Sequence, residues 1–114
     1  MSRTYRITVR GRFADLTAAQ REQLRGAQAE HDMFAARYTP EGAFLYGPEL
    51  VGYQFRYLLS VDEASPEDAD LAARLEAEEL AEAGIRERGF QGRITDTALT
   101  CVEDMKIRGG RRRS

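Results

Sequence analysis

The sequence predicts an α+β domain with the element order β-α-β-β-β-α-β. Three observations predict it. Tyr5, Ile7 and Val9 alternate with polar residues near the N-terminus, which is the period of a half-buried strand. Residues 33–62 are aromatic and interrupted by turn signals, as consecutive short strands are. Capping signals begin a helix on each side of this central region, and another strand pattern closes the chain.

The first strand is expected to end at the Gly11-Arg12 pair, and the first helix follows it. Thr17 and Gln20 have the spacing of a capping box, with Thr17 as the N-cap and Gln20 at the N3 position. This signal predicts a helix over about residues 18–29. Its apolar stripe is thin and is centred on Leu24.

The central region predicts strands at about residues 33–38, 43–47 and 52–62, separated by turns at Thr39-Pro40-Glu41-Gly42 and at residues 47–52. The last of these strands has the clearest alternation. Its apolar residues are expected to face the core, and Arg56 lies among the residues of the opposite face. These core-facing residues are Tyr53, Phe55, Tyr57, Leu59 and Val61.

A second helix is predicted to begin at Ser65, the N-cap, with Pro66 at N1, and to end within residues 84–89. Its expected apolar stripe consists of Leu71, Ala72, Leu75, Leu80, Ala81, Ala83 and Ile85. A final strand over residues 93–102 completes the order. Without the additional hairpin strand this is the βαββαβ plan of ferredoxin-like folds, an antiparallel sheet with two helices on one face. The domain is expected to span residues 1–107, and 108–114 to be a basic, disordered tail.

Composition indicates a soluble cytoplasmic protein with no membrane segment. The chain has 114 residues, a formal charge of −2 and one cysteine, Cys101, which is typical of a single domain in a reducing compartment. No segment reaches the roughly 18–20 apolar residues that a membrane helix needs. The negative net charge gives no general attraction to nucleic acid. Sixteen arginines against one lysine indicate a GC-rich genome, so arginine count alone does not indicate phosphate binding.

The segment Val9-Arg10-Gly11-Arg12-Phe13 resembles the end of the first strand in acylphosphatases, which share the βαββαβ plan. The resemblance implies a phosphate cradled by this loop, an arginine clamp and an asparagine that orients water. The sequence departs from that pattern immediately, because Ala14-Asp15-Leu16 follows and the chain contains no asparagine. We therefore reject acylphosphatase activity and interpret the segment as a strand leading to a capped helix.

Arg6, Arg10 and Arg56 are predicted to converge on the open sheet face, where they are candidate ligand-binding residues for an anion. The alternative is a solvated or dimer-buried arginine face, paired with Asp96 or Glu103. RNA binding on such a sheet needs aromatic side chains on the same face, and the aromatic residues here are expected to face the core. Nucleic acid is therefore a less favoured partner.

His31 is the only histidine and the one candidate general base, with a tyrosine, first of all Tyr57 and otherwise Tyr38 or Tyr46, as its catalytic partner. This pairing would suit a cofactor-free oxygenase, cyclase or isomerase of the dimeric α+β barrel kind. The alternative is a histidine that stabilises a helix C-terminus. No metal site or cofactor is expected, because Cys101 has no second cysteine and no glycine-rich nucleotide motif occurs. Enzyme activity is therefore the second hypothesis.

Three segments, RTYRITVRGRF, FRYLLSV and EDMKIRGGRR, resemble a family of small actinobacterial proteins whose function is not assigned. This resemblance covers nearly the whole chain and implies a domain of unknown function. From the residues themselves, we expect a cytoplasmic homodimer that binds an acidic small molecule or a protein partner. It is expected to associate through the open face of its sheet, where Leu58 and the short middle strands offer pairing surface.

Overall fold

The computed structural model describes residues 2–32 and 37–103. The elements in chain order are β1 (Ser2–Ala14), α1 (Ala18–Gly26), a short 3₁₀ helix (Gln28–His31), β2 (Ala43–Tyr46), β3 (Gly52–Asp62), α2 (Pro66–Glu87) and β4 (Gln91–Cys101). The strands form one antiparallel sheet with the order β2-β3-β1-β4. The α+β class, the antiparallel sheet and the two helices are confirmed.

The predicted five-strand order is not matched, because the part of the chain that the structure describes contains four strands. Most of the strand predicted at 33–38 lies outside the described residues. Residues 37 and 38 are not in a strand, and Thr39 forms only an isolated parallel bridge to Tyr57. The basic tail predicted at 108–114 also lies outside the described residues.

β1 runs through Gly11 to Ala14, so the predicted strand end at Gly11-Arg12 is wrong. Its pairing with β4 shifts register between Arg10 and Gly11, the mark of a β-bulge. Gly11 is instead required by packing. A Cβ atom there would lie 2.3 Å from the ring of Tyr53 and 2.7 Å from the carbonyl oxygen of Arg93. The glycine lets a large ring lie directly on the strand backbone.

The core lies between the sheet and both helices, and it is rich in aromatic side chains. Tyr53, Phe55 and Tyr57 of β3 are each 2% exposed, as their alternation predicted. Leu24 of α1 and the buried face of α2 belong to the same cluster, so both helices cover this face of the sheet. The rings pack mainly in tilted and edge-to-face pairs, and Phe44 is central among them, 5.1 Å from Phe55 between ring centroids.

The predicted apolar stripe of α2 is wrong for its leucines. Leu71 and Leu75 are 56% and 54% exposed, and Leu80 is 40% exposed. The helix buries a row of small residues instead: Ala69, Ala73, Ala77, Ala81 and Gly84. The reason is space, since the aromatic rings of the sheet already fill the layer beneath the helix. At Gly84, an added Cβ would lie 2.9 Å from the Phe55 ring.

The helix starts are as predicted. Thr17 and Gln20 form both bonds of the capping box, and the Ser65 side chain accepts from the backbone N–H of Asp68 at 3.2 Å. α1 ends at Gly26, earlier than residue 29, and the chain continues as the 3₁₀ helix that carries His31. Within residues 2–32 and 37–103, no helix is long and apolar enough to cross a membrane.

α2 ends in a Schellman motif that fixes the backbone around Arg88. The N–H of Phe90 donates to the Ile85 carbonyl at 3.1 Å, and the N–H of Gly89 donates to the Arg86 carbonyl at 3.0 Å. Gly89 has a φ of 83°, which glycine adopts without strain. Arg88 occupies the C-cap position and turns back over the core.

Candidate functional site

Arg6, Arg10 and Arg56 lie on the same face of the sheet. Arg56 is the β3 partner of Thr8, and Arg6 and Arg10 precede and follow Thr8 by two residues on β1. Residues directly opposite each other in antiparallel strands point to one face, as do residues two apart. The three side chains therefore leave the sheet on the side away from the helices.

Tyr38 lies over this face between two of the arginines. The guanidinium carbons of Arg6 and Arg56 are 6.0 and 5.8 Å from the centroid of its ring. Its hydroxyl is 2.9 Å from the hydroxyl of Thr8, which is 6% exposed. Each cation–π contact of this kind contributes about 0.5–1 kcal/mol at an exposed site. Tyr38 thus covers part of the face that the sequence suggested would be open.

The backbone next to Tyr38 is fixed to β3 and to the following turn. The N–H of Leu58 donates to the carbonyl of Thr39 at 2.8 Å, and the side chain of Thr39 accepts from the N–H of Gly42 at 3.0 Å. Gly42 has a φ of 89°, and an added Cβ would meet the ring of Tyr57 at 2.2 Å. These contacts hold the turn, and with it Tyr38, against the sheet.

Arg10 forms an ion pair with a carboxylate on β4. Its Nη1 donates to Oδ2 of Asp96 at 2.9 Å, and both side chains are about half exposed, at 45% and 56%. Exposed pairs of this kind stabilise a fold by roughly 0–1 kcal/mol. The pairing with Asp96 was the alternative that the sequence left open, and it neutralises the charge of Arg10.

A groove of about 530 Å³ runs along the same face and is lined by Thr4, Arg6, Arg37, Tyr38, Leu58 and Val102. We call it the sheet groove. Arg6 makes no ion pair with any carboxylate in the part of the chain that the structure describes. Glu103 lies beside Thr4, and its carboxylate accepts from the N–H of Thr4 at 2.8 Å. The sheet groove therefore combines two guanidinium groups, one aromatic ring and an apolar floor.

His31 lies on the other side of the sheet, in the helix layer. Its Nδ1 is 2.9 Å from the carbonyl oxygen of Phe44, and its ring centroid is 5.4 Å from that of Phe44 and 5.3 Å from that of Tyr46. Tyr46 is held in turn, since its hydroxyl donates to the carbonyl of Leu24 at 2.5 Å. His31 is thus on the opposite side of the sheet from Tyr38, and its tyrosine neighbour is Tyr46.

Tyr57, the other predicted catalytic residue, stacks on Phe55 with the two rings 8° from parallel. Burial raises the pKa of its hydroxyl from 10.0 to about 12, with Arg88 opposing the rise. A tyrosine with a raised pKa keeps its proton at neutral pH and can donate but not act as a base. Burial likewise raises the pKa of Tyr46.

A cavity of about 210 Å³ lies beside His31, between α1, β2 and the end of α2. Arg88 lines it, with the guanidinium carbon 4.7 Å from the ring centroid of Phe44 and 5.4 Å from that of Phe55. We call this cavity the His31 pocket. The sequence did not indicate Arg88 and Arg37 as site residues, because no local pattern shows which arginine on a helix end or a loop turns towards a cavity.

Within residues 2–32 and 37–103, no group of three or more histidine, cysteine, aspartate or glutamate side chains could hold a metal ion. Cys101 is a buried free cysteine at the end of β4, with its Sγ 3.9 Å from a carboxylate oxygen of Glu103.

The chain belongs to DUF6204, a family of unknown function, whose model matches residues 1–113. This agrees with the resemblance that the N-terminal, central and C-terminal segments suggested. No curated protein and no solved structure matches the chain.

Proposed function

We propose that this member of DUF6204 binds a small anionic ligand, a carboxylate or a phosphate, in the sheet groove. The observation that carries the proposal is the position of Arg6, which lies over Tyr38 and lines the groove together with Arg37. A guanidinium presents several N–H donors in a plane and suits the paired oxygens of a carboxylate or phosphate. Two such groups in one groove favour an anion over a neutral ligand.

The other walls of the groove indicate the rest of the ligand. Leu58 and Val102 supply apolar surface, and Tyr38 supplies the face of a ring. Thr8 fixes that ring through its hydroxyl, so the aromatic wall is held in place before a ligand arrives. A ligand with an anionic group and a short apolar or aromatic portion fits this combination better than a bare ion.

We also propose the finer aspects of the sequence prediction. The strand order β2-β3-β1-β4 and the β-α-β connections at both ends of the β2–β3 hairpin support a ferredoxin-like fold. A homodimer formed through the sheet is supported by the exposed edge of β4. The dimer and the ligand site are separate proposals, because the sheet groove is lined by residues of β1 and β3, by residues 37 and 38 and by Val102 after β4, and by no residue of β4 itself.

Isothermal titration calorimetry with inorganic phosphate and phenyl phosphate tests the groove. We expect phenyl phosphate to bind more tightly than phosphate, and Arg6→Gln or Arg37→Gln to weaken phenyl phosphate binding about tenfold, as loss of a charge-assisted hydrogen bond does. Arg10→Gln is the matched control, because Arg10 lies on the same face but pairs with Asp96. Unchanged affinity in both Arg6→Gln and Arg37→Gln would contradict the proposal.

Nucleic acid is the competing ligand for an arginine-rich face. The salt dependence of the affinity distinguishes nucleic-acid binding from binding of a small anion. Binding of single-stranded RNA through several phosphates weakens steeply as salt rises, whereas one small anion depends on salt only slightly. RNA binding that requires Arg6 and falls steeply between low and physiological salt would replace the small-ligand proposal. Binding of phenyl phosphate without RNA binding would support it.

A further inference from the structure

We propose that the His31 pocket is a second ligand site, which binds a small planar aromatic carboxylate carrying a hydrogen-bond donor, of the hydroxybenzoate class. The pocket lies in the helix layer, on the opposite side of the sheet from the sheet groove. It is lined by residues of α1, the 3₁₀ helix, β2 and the end of α2. The inference does not depend on the function proposed for the sheet groove.

The size and walls of the pocket suit a single aromatic ring. Its volume is about 210 Å³, and a buried protein cavity of about 150 Å³ is large enough to take up benzene. Phe44, Tyr46 and Phe90 line it and are 5%, 1% and 6% exposed, so these walls are well packed and apolar. Flat rings on the walls favour a flat ring as the ligand through offset or edge-to-face contacts.

Arg88 supplies the charge that a carboxylate would need. One of its N–H groups donates to the carbonyl of Gly84 at 3.0 Å, and its guanidinium lies against the rings of Phe44 and Phe55. Within residues 2–32 and 37–103, Arg88 makes no ion pair. These contacts with Gly84, Phe44 and Phe55 hold the guanidinium in place before any ligand is present. A carboxylate placed beside it would complete a charge-assisted pair at the edge of an aromatic cavity.

His31 defines the second polar contact. A backbone carbonyl can only accept a hydrogen bond, so the Nδ1 that bonds to the carbonyl of Phe44 carries the proton. In the neutral imidazole, Nε2 is then an acceptor. An acceptor selects a donor, and a phenolic hydroxyl on the ligand ring would supply one. The pocket therefore combines a cation for the carboxylate with an acceptor for a hydroxyl.

Calorimetric titration of the full chain with 4-hydroxybenzoate, 3-hydroxybenzoate, benzoate and phenol tests the assignment. We expect one of the hydroxybenzoates to bind several-fold more tightly than benzoate, and phenol to bind at least about tenfold more weakly than that hydroxybenzoate. Arg88→Gln should lower carboxylate affinity about tenfold, and Arg88→Lys, which keeps the charge, should lower it less. Arg86→Gln is the control, because Arg86 lies on the same helix end but lines a different cavity.

His31→Phe separates the two polar contacts. It keeps an aromatic ring in the wall and removes the acceptor, so hydroxybenzoate affinity should fall to the level of benzoate while benzoate affinity stays the same. Arg6→Gln should change neither, which distinguishes this pocket from the sheet groove.

Equal binding by the wild-type protein and Arg88→Gln would overturn the assignment, as would phenol binding as tightly as the hydroxybenzoates. Should Arg88→Gln fail to fold, the wild-type protein still decides the matter by NMR. The ring signals of His31 and Phe44 should shift on titration with the tighter hydroxybenzoate. Titration without shifts at those residues would overturn the proposal.

Discussion

At the scale of single residues, Gly11 shows how a packing requirement can look like a turn signal. Its flanking arginines and its place after an alternating run predicted a strand end, yet β1 continues for three more residues. The Tyr53 ring occupies the space of the missing side chain. We predict that Gly11→Ala destabilises the protein by about 1–3 kcal/mol or more, the usual cost of overpacking, since both the ring and the Arg93 carbonyl would have to move.

Gly26 provides the matched control for this prediction. It is the last residue of α1, and an added Cβ would meet nothing within 4 Å. Gly26→Ala should therefore stabilise the protein by up to about 0.4–1 kcal/mol, chiefly by restricting the unfolded chain. Urea denaturation followed by circular dichroism gives both values. Equal effects of the two substitutions would show that Tyr53 does not constrain Gly11.

The candidate site residues also show the limit of local pattern. Alternation alone placed Arg6, Arg10 and Arg56 on one face, because strand geometry fixes the direction of each side chain. It did not place Tyr38 over Thr8, since that contact joins a loop to a strand thirty positions away in the sequence. The contact between His31 and Phe44 was missed for the same kind of reason. It depends on the direction in which the chain leaves the 3₁₀ helix, and no local pattern indicates that direction.

At the scale of elements, α2 buries small residues and exposes its leucines, which is the opposite of the usual arrangement. The sheet contributes so many rings that the facing helix can approach only with alanine and glycine. Hydrophobicity alone ranks leucine above alanine for burial, so the stripe predicted from the sequence included the exposed leucines. The correct stripe repeats every four residues, Ala69, Ala73, Ala77 and Ala81, and is visible once the volume of the opposing layer is considered.

We predict opposite responses from two substitutions on α2. Ala77→Leu inserts a large side chain at a position that is 0% exposed and should destabilise the protein by about 1–3 kcal/mol. Leu75→Ala removes a side chain that is 54% exposed and should change stability by about 0.5 kcal/mol or less. Thermal and urea unfolding measure both. A large loss from Leu75→Ala would mean that this leucine is covered by another molecule, which a concentration series would reveal.

At the scale of the whole molecule, the sheet has two different edges. β2 has 4 residues, whereas β4 has 11 and is mostly exposed. Among the described residues, β4 pairs only with β1. The sequence predicted a dimer formed through the open sheet face, with Leu58 and the short middle strands as the pairing surface. It did not indicate β4, because strand order depends on long-range pairing that no local pattern records. Long exposed edge strands attract further strands unless they are blocked.

The backbone of Thr97 shows which polar groups of β4 are available to a second copy. Its carbonyl accepts from Arg74 at 3.1 Å rather than completing a bond to β1. In an antiparallel strand the N–H and the C=O of one residue point to the same side, so the Thr97 N–H also points outward. Two β4 strands paired antiparallel about a two-fold axis would join the sheets of two chains, with Arg74 releasing the carbonyl.

We predict a mass of two chains by multi-angle light scattering at micromolar concentration, and dissociation of the dimer by Thr97→Pro. Proline removes the Thr97 N–H, which points away from β1. The hydrogen bonds to β1 come from Ala98 and from every second residue on either side of it, so they stay intact. Thr97→Val is the control, because it also removes the hydroxyl that donates to Glu78 but keeps the N–H, so this variant should remain dimeric. A wild-type mass of one chain would contradict the dimer. A dimer that withstands Thr97→Pro, with the fold retained by circular dichroism, would place the interface elsewhere and leave the exposed leucines of α2 as the next surface to test.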